Sequence, residues 1–415
     1  MWHKNLLDVI PKDNSQRRLA IVFMVNSFGN GAYAPIALLF LVRVGDWSAV
    51  SAGIAFTIAG LIAVLSSMAM GLAADRIDSR MLSIALFGIA GISVAGLCVL
   101  TWVRSYALLL VILSISASAN LGARPVWGVF IAEVGGTNRV RLRAQLRSLS
   151  NISVAAGAAL AGLGVELGGN LTYNLLVLTN ALTFFAAAIF LYRIKVTAIH
   201  AVRPESVDRL PALRDTRFVA VSAANVVMSW QYGVVMIALP VWIVLRTDSP
   251  HWMAGGALAI NGFFVAAFQV RASRGVQGPA GTAGALRLAG TLFLVACSSF
   301  GLTTFTPELA TLLVITIAVI AQSAGEVLHA AASFEIPYAA APAHAIGQYQ
   351  GVFETSYSIS TVSAPAVLTF LCISWGFVGW ITLGVLFTIC GLVSSWIIDS
   401  SQPRHTLRVS HRTGE

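Results

Sequence analysis

Apolar runs of about 20 residues recur along the whole chain, separated mostly by short charged loops, and that spacing leaves few folds open. Backbone N–H and C=O groups in hydrocarbon must be satisfied within the spanning structure. A helix of ~20 residues rises about 30 Å, the thickness of the apolar layer, whereas barrel strands span it in about 10 residues. The runs are therefore helices, and the chain reads as an all-α membrane protein in contact with a lipid bilayer. Composition agrees, with 57% of residues apolar and 10% charged and a mean hydropathy of +0.81, outside the range of soluble domains. Hydropathy places twelve spans. Six lie near 19–42, 50–71, 81–103, 107–132, 147–167 and 174–194, and six near 218–245, 253–272, 286–305, 309–333, 350–373 and 376–398. A glycine-rich stretch, Gly275 to Gly284, reads as the loop before the ninth.

Loop charges set the orientation. Of the 26 cationic residues, 22 fall on the side that holds both termini, among them Arg76, Arg80, Arg139, Arg141, Arg143 and Arg147. Excess Lys and Arg marks the cytoplasmic face, so both termini are expected in the cytoplasm. The net charge of +9 needs no nucleic-acid partner, because an anionic inner leaflet accounts for it. Arginine outnumbers lysine 23 to 3, which points to a GC-rich bacterial source and an inner membrane. The first apolar run follows a tail containing acids and is too long for a signal-peptide core, so it reads as a retained span. Cys98, Cys297, Cys372 and Cys390 all lie within spans at no metal-ligand spacing and read as packing residues.

Only residues 195–217, with Pro204, Pro211 and a cluster of charges, interrupt the pattern at length. The expected organisation is a cytoplasmic segment 1–18, a six-helix bundle 19–194, a linker 195–217, a second bundle 218–398 and a tail 399–415. The halves echo each other: Asp75-Arg76 meets Ser273-Arg274 at an offset of 198, Arg124 and Glu133 meet Glu326 and Glu335 at 202, and Asn151 meets Glu354 at 203. A duplicated bundle carries its solute and coupling-ion sites near the midplane between the halves.

Gly71, Asp75, Arg76 and Arg80 match the form Gly-x-x-x-Asp-Arg-x-Gly-x-Arg between spans 2 and 3, and on these residues the chain resembles the major facilitator superfamily over nearly its whole length. Asp78 stands where that pattern has glycine and reads as a residue able to take the left-handed conformation there. Arg124 and Gly128 match Arg-x-x-x-Gly in span 4, with Trp127 where glutamine is common, while Gly157, Gly162 and Gly164 meet the span 5 pattern only in part. Four further segments are similar to the twelve-span drug:proton antiporter branch: Gly29 to Pro35, Arg143-Ala144-Gln145-Leu146-Arg147 leading to Asn151, Gly325-Glu326, and Tyr349-Gln350-Gly351. The resemblance implies two pseudo-symmetric six-helix bundles and makes Asp75 a latch that holds the halves together on the cytoplasmic side. It also makes Arg124 a proton-transfer residue.

Read physically, Arg124 lies too deep in its span to reach either surface, and an intramembrane charge is a functional candidate by default. The alternative is a structural cation bonded to carbonyls freed by Pro125. Glu326, at the equivalent depth of span 10, is the expected partner of Arg124 and the first candidate to load and release a proton. It could equally tie two helices together or touch substrate. His329, one turn on, is placed to share that proton, and Glu354 is the second candidate acid. Asn26, Asn30 and Tyr33 form one stripe of span 1, and Trp230, Gln231, Asn261 and Gln322 complete the expected cavity lining. Amides and aromatics with few fixed charges suit amphipathic, often cationic compounds better than sugars or phosphates. Interhelical hydrogen bonding accounts for any one of them equally well.

The expectation is a monomeric exporter of small hydrophobic or amphipathic compounds that exchanges solute for protons by alternating access. It needs no cofactor or metal and uses the proton gradient as its energy source. A nutrient importer or uniporter, and a membrane sensor that binds without translocating, are the other readings. No Ser/His dyad, zinc spacing or Gly-x-x-x-x-Gly-Lys loop points to an enzyme or to direct use of ATP.

Overall fold

The computed structural model describes residues 9–100, 103–194, 210–250 and 252–400. Most of the expected linker (195–209), the tail beyond 400 and the first eight residues lie outside the described residues, with Lys4, Lys195, Arg203, Arg209, Arg404, Arg408 and Arg412. Eleven continuous helical stretches among the described residues are long and apolar enough to cross a membrane. One of them, Tyr106–Leu167, has 62 residues, about three times what a crossing needs. It divides at Gly136, whose φ of +50° ends one helix and lets the chain turn into the next. The result is twelve membrane helices: α1 Asn14–Arg43, α2 Ala49–Ala74, α3 Ser79–Val99, α4 Tyr106–Gly135, α5 Arg139–Leu167, α6 Asn170–Tyr192, α7 Thr216–Arg246, α8 Trp252–Gly275, α9 Gly278–Leu302, α10 Glu308–Ala340, α11 Ile346–Ser374 and α12 Phe377–Ser400.

Local chemistry sets the helix ends. Asp13, Ser48, Asp78, Ser105 and Asp215 accept backbone N–H groups at the starts of α1, α2, α3, α4 and α7. Asp78 therefore acts as a helix cap with φ of −51°, not as the left-handed turn residue expected from the glycine it replaces. The glycine-rich stretch expected as a loop is mostly helix, because Gly278 (φ +75°) turns the chain and Pro279 starts α9. Helix α5 begins eight residues before the expected 147, since its charged first turns are paired with the other half rather than left in water. Proline sits by a 3-10 turn in α1 (Pro35), within α7 just after a π-helical stretch (Pro240), and just before another in α11 (Pro365).

Helices α1–α6 enclose one apolar core, with Phe40, Leu97, Phe130 and Phe184 fully buried. Helices α7–α12 enclose others, around Trp242, Phe293, Trp380 and Phe387 and around Phe218 and Phe353. A small cluster of Val140, Ala144, Ala330, Phe334 and Tyr338 joins the halves, and the contacts between them run through α2 with α11, α5 with α8 and α10, and α4 with α11. Helices α2 and α11 cross on bare glycine: a Cβ on Gly71 would overlap the Gly347 carbonyl, and one on Gly347 the Gly71 carbonyl. Lipid offers no hydrophobic drive for helices to pair, so close backbone approach of this kind supplies the dispersion that holds the seam.

Candidate functional site

Three arginines on α5 recur at four-residue spacing, Arg139, Arg143 and Arg147, which places them on one helix face. That face meets the second half. The Arg139 guanidinium lies 4.7 Å over the Tyr338 ring. Arg143 donates to Gln350 Oε1 at 3.0 Å and to Glu354 Oε1 at 2.5 Å. Arg147, one turn deeper, donates to Glu326 Oε1 and to the Tyr232 hydroxyl, both at 3.0 Å. Phe334 lies beneath both Arg143 and Arg147 and keeps water from their inner faces.

The two acids come from the other half and are almost fully buried. The second oxygen of Glu326 accepts from Asn261 of α8 at 2.9 Å, and Asn261 also donates to Ser323. Glu326 is therefore bonded on both oxygens, as a buried carboxylate must be. The second oxygen of Glu354 is 3.9 Å from Arg124 of α4, whose guanidinium lies 4.7 Å over the Tyr357 ring. Tyr357 in turn meets Tyr232 edge to face at 5.7 Å. The expected Arg124–Glu326 pair is not formed: Arg124 faces Glu354, and Arg147 holds Glu326. Equivalent depth in a repeat does not bring two positions together; the crossing of α5 against α10 does.

His329 is fully buried, and the bonds of its ring go to Asn225 and Ser333 rather than to Glu326. Its Nε2 lies 3.0 Å from Asn225 Oδ1, which only accepts, so this nitrogen carries the hydrogen and Nδ1 has no partner among the described residues. Asn225 donates to Ser356, which makes this trio a tie between α7, α10 and α11. Gln322 donates to the backbone and side-chain oxygens of Gln231 at 3.1 Å, and Trp230 donates to Ser363 at 2.9 Å. These three also join helices within the second half. Asn26 is buried while Asn30 and Tyr33 are half-buried, and their side chains form no hydrogen bond among the described residues.

At the end of the bundle that carries the termini, Asp75 accepts from the backbone N–H groups of Gly347 at 2.6 Å and Gln348 at 2.9 Å. These are orphan donors in the first turn of α11, where the helix dipole also favours an anion. Burial holds the Asp75 carboxyl up at about 6, against the downward pull of the two N–H groups and Arg76. Arg80 donates to the Ile194 carbonyl at 2.8 Å, tying the turn to the end of α6, while Arg76 is exposed. In the second copy the acid is replaced by Ser273, which is buried and whose hydroxyl bonds Val270 in its own helix. A groove of about 580 Å³, lined by Phe264, Phe268, Arg271 and Leu288 among others, lies among α8, α9 and α10, and neither Glu326 nor Arg147 lines it.

The pairing of Arg143 and Arg147 with the two acids was missed from sequence, where both counted as loop charges and as part of a segment similar to the antiporter branch, with no partner assigned. Their four-residue spacing with Arg139 was the available signal.

A family model described as Major Facilitator Superfamily matches residues 19–365. No curated protein sequence matches the chain. Similar solved structures include a bacterial homologue of the iron transporter ferroportin in an outward-facing state (15% identity, TM-score 0.69, 94% of this chain and 99% of that one). FucP in an outward conformation (12%, 0.71, 94% and 99%) and the human organic anion transporter MFSD10 (15%, 0.66, 91% and 99%) are also similar. At these identities they establish the fold alone.

Proposed function

The chain belongs to the major facilitator superfamily, which makes it a secondary transporter working by alternating access, and from that premise we propose that it is a proton-coupled exporter of small amphipathic compounds in a bacterial inner membrane. One observation carries this reading. The charged centre is sorted by half, with arginines 124, 143 and 147 on the first and carboxylates 326 and 354 on the second. The halves are held together at the end bearing the termini, which loop charge assigns to the cytoplasm, so the present state faces outward.

A proton arriving from outside on Glu326 or Glu354 neutralises the partner of Arg147 or Arg143. The Coulomb attraction across the seam falls, and the halves part on the cytoplasmic side. Loss of the proton to the cytoplasm restores the carboxylate, and re-pairing with arginine closes that side around a newly bound solute. Proton and solute thus cross in opposite directions.

The test uses everted vesicles with an acid interior and a panel of anionic, neutral and cationic fluorescent amphipathic dyes. Accumulation that collapses with a protonophore and is lost in Glu326→Gln, with the variant still folded, is the expected result. Accumulation unchanged in Glu326→Gln moves coupling to Glu354, and its persistence in Glu326→Gln/Glu354→Gln removes coupling from this centre.

A further inference from the structure

We propose that Arg124 anchors an anion subsite, and that the transported compound is a monoanion carrying one carboxylate on an aromatic or otherwise apolar body. This names the substrate class of the transporter proposed above and rests on that reading for the word "transported"; the subsite itself rests on geometry. Three guanidinium groups meet two carboxylates at the centre, which leaves one positive charge unmatched in a region of low dielectric. The shortfall falls on one residue. Arg143 takes Glu354 at hydrogen-bond distance, whereas Arg124 stands 3.9 Å from the other oxygen, beyond hydrogen-bond reach.

Arg124 is also the accessible member. Its side chain is 39% exposed, against 15% for Arg143 and 22% for Arg147. It lies 11 residues from the end of α4 at Gly135, a depth of ~16 Å along the axis. With Glu354 and Tyr357 of α11 beside it, that accessible surface belongs to the space between the halves and not to lipid. Tyr357 covers the guanidinium face and also takes a side-chain hydrogen bond from Arg124, which leaves the remaining in-plane N–H donors for a ligand. A planar fork of donors matches a carboxylate in bidentate fashion. One negative charge balances the excess. The paired rings of Tyr232 and Tyr357 supply an apolar wall beside it. The expectation of a cationic solute is reversed on this account, because a cation would meet an uncompensated guanidinium.

Binding of three naphthyl probes to the purified, detergent-solubilised chain at fixed pH, followed by thermal shift and titration, tests the subsite. The probes are 1-naphthoate, neutral 1-naphthamide and 1-naphthylmethylammonium. 1-Naphthoate is expected to bind at least ~10-fold more tightly than either isostere. Arg124→Gln abolishes that preference, and Arg124→Lys retains part of it, since it keeps the charge and loses the fork. Equal binding of the three probes, no binding by any, or an unchanged preference in a monodisperse Arg124→Gln protein overturns the proposal. If Arg124→Gln does not elute as a monodisperse protein, the wild-type ranking and Arg124→Lys decide it. Because no gradient is applied, carboxylate-selective binding without proton-driven accumulation in vesicles keeps the subsite and removes the antiporter, and the converse result does the opposite.

Discussion

Arg147 and Glu326 sit within membrane helices from different halves, and burying either alone would cost several kcal/mol. Removing one partner is therefore worse than removing both. Arg147→Ala is expected to destabilise the solubilised protein by ~3–5 kcal/mol, and the double variant Arg147→Ala/Glu326→Gln to recover most of that loss. Fluorescence-detected thermal unfolding checks this, and equal melting of the single and double variants would show that the pair carries no such coupling. His329 belongs to a different unit: His329→Gln, which can keep the bond to Asn225, is expected to leave proton coupling intact in the vesicle assay. The acids were legible from sequence because a carboxylate in an apolar run has few excuses. Their partners were not, because pairing is a property of how helices cross.

At the scale of the helix, the α2–α11 crossing is where conformational change is concentrated. Gly71 and Gly347 allow the backbones to touch, so Gly71→Val is expected to force this end apart. A distance distribution between spin labels at Ile77→Cys and Ala343→Cys, in a background freed of the four native cysteines, would then lose its short component. Asp75 adds a pH dependence whose sign follows from its carboxyl being held up at about 6 in the closed arrangement. The closed state binds that proton more readily than a state in which Asp75 is hydrated, with an ordinary value near ~4. Closure at this end is therefore favoured as pH falls toward ~4 and weakened as pH rises through about 6. In a Glu326→Gln/Glu354→Gln background, where the central acids no longer titrate, the short-distance population should be larger at pH 4.5 than at pH 7.5, and that difference should shrink in Asp75→Asn. The motif that named Asp75 was readable in the sequence; its acceptance of two N–H groups from the far half was not.

At the scale of the whole molecule, loop charge predicts that both termini face the cytoplasm. Single cysteines at Asn14 and Ser400, again without the native four, should be labelled by an impermeant reagent in everted vesicles and protected in right-side-out ones. Labelling of either from outside would reverse the direction assigned to every step above. The count and approximate places of the spans, their helical nature and the likeness between the halves were all determined by sequence alone. Hydrocarbon demands about 20 self-satisfied residues per crossing and duplication leaves its periodicity in the chain. The bounds of α5 and α9 were misjudged for the same physical reason: a hydropathy window counts arginine and glycine as breaks, whereas partners from elsewhere in the fold pay for the one and a proline-started turn absorbs the other. Which arginine meets which carboxylate, and which cation is left over to face the solute, was decided only by tertiary structure. Those distances depend on how two six-helix bundles lie against each other, and no local pattern in either bundle encodes that.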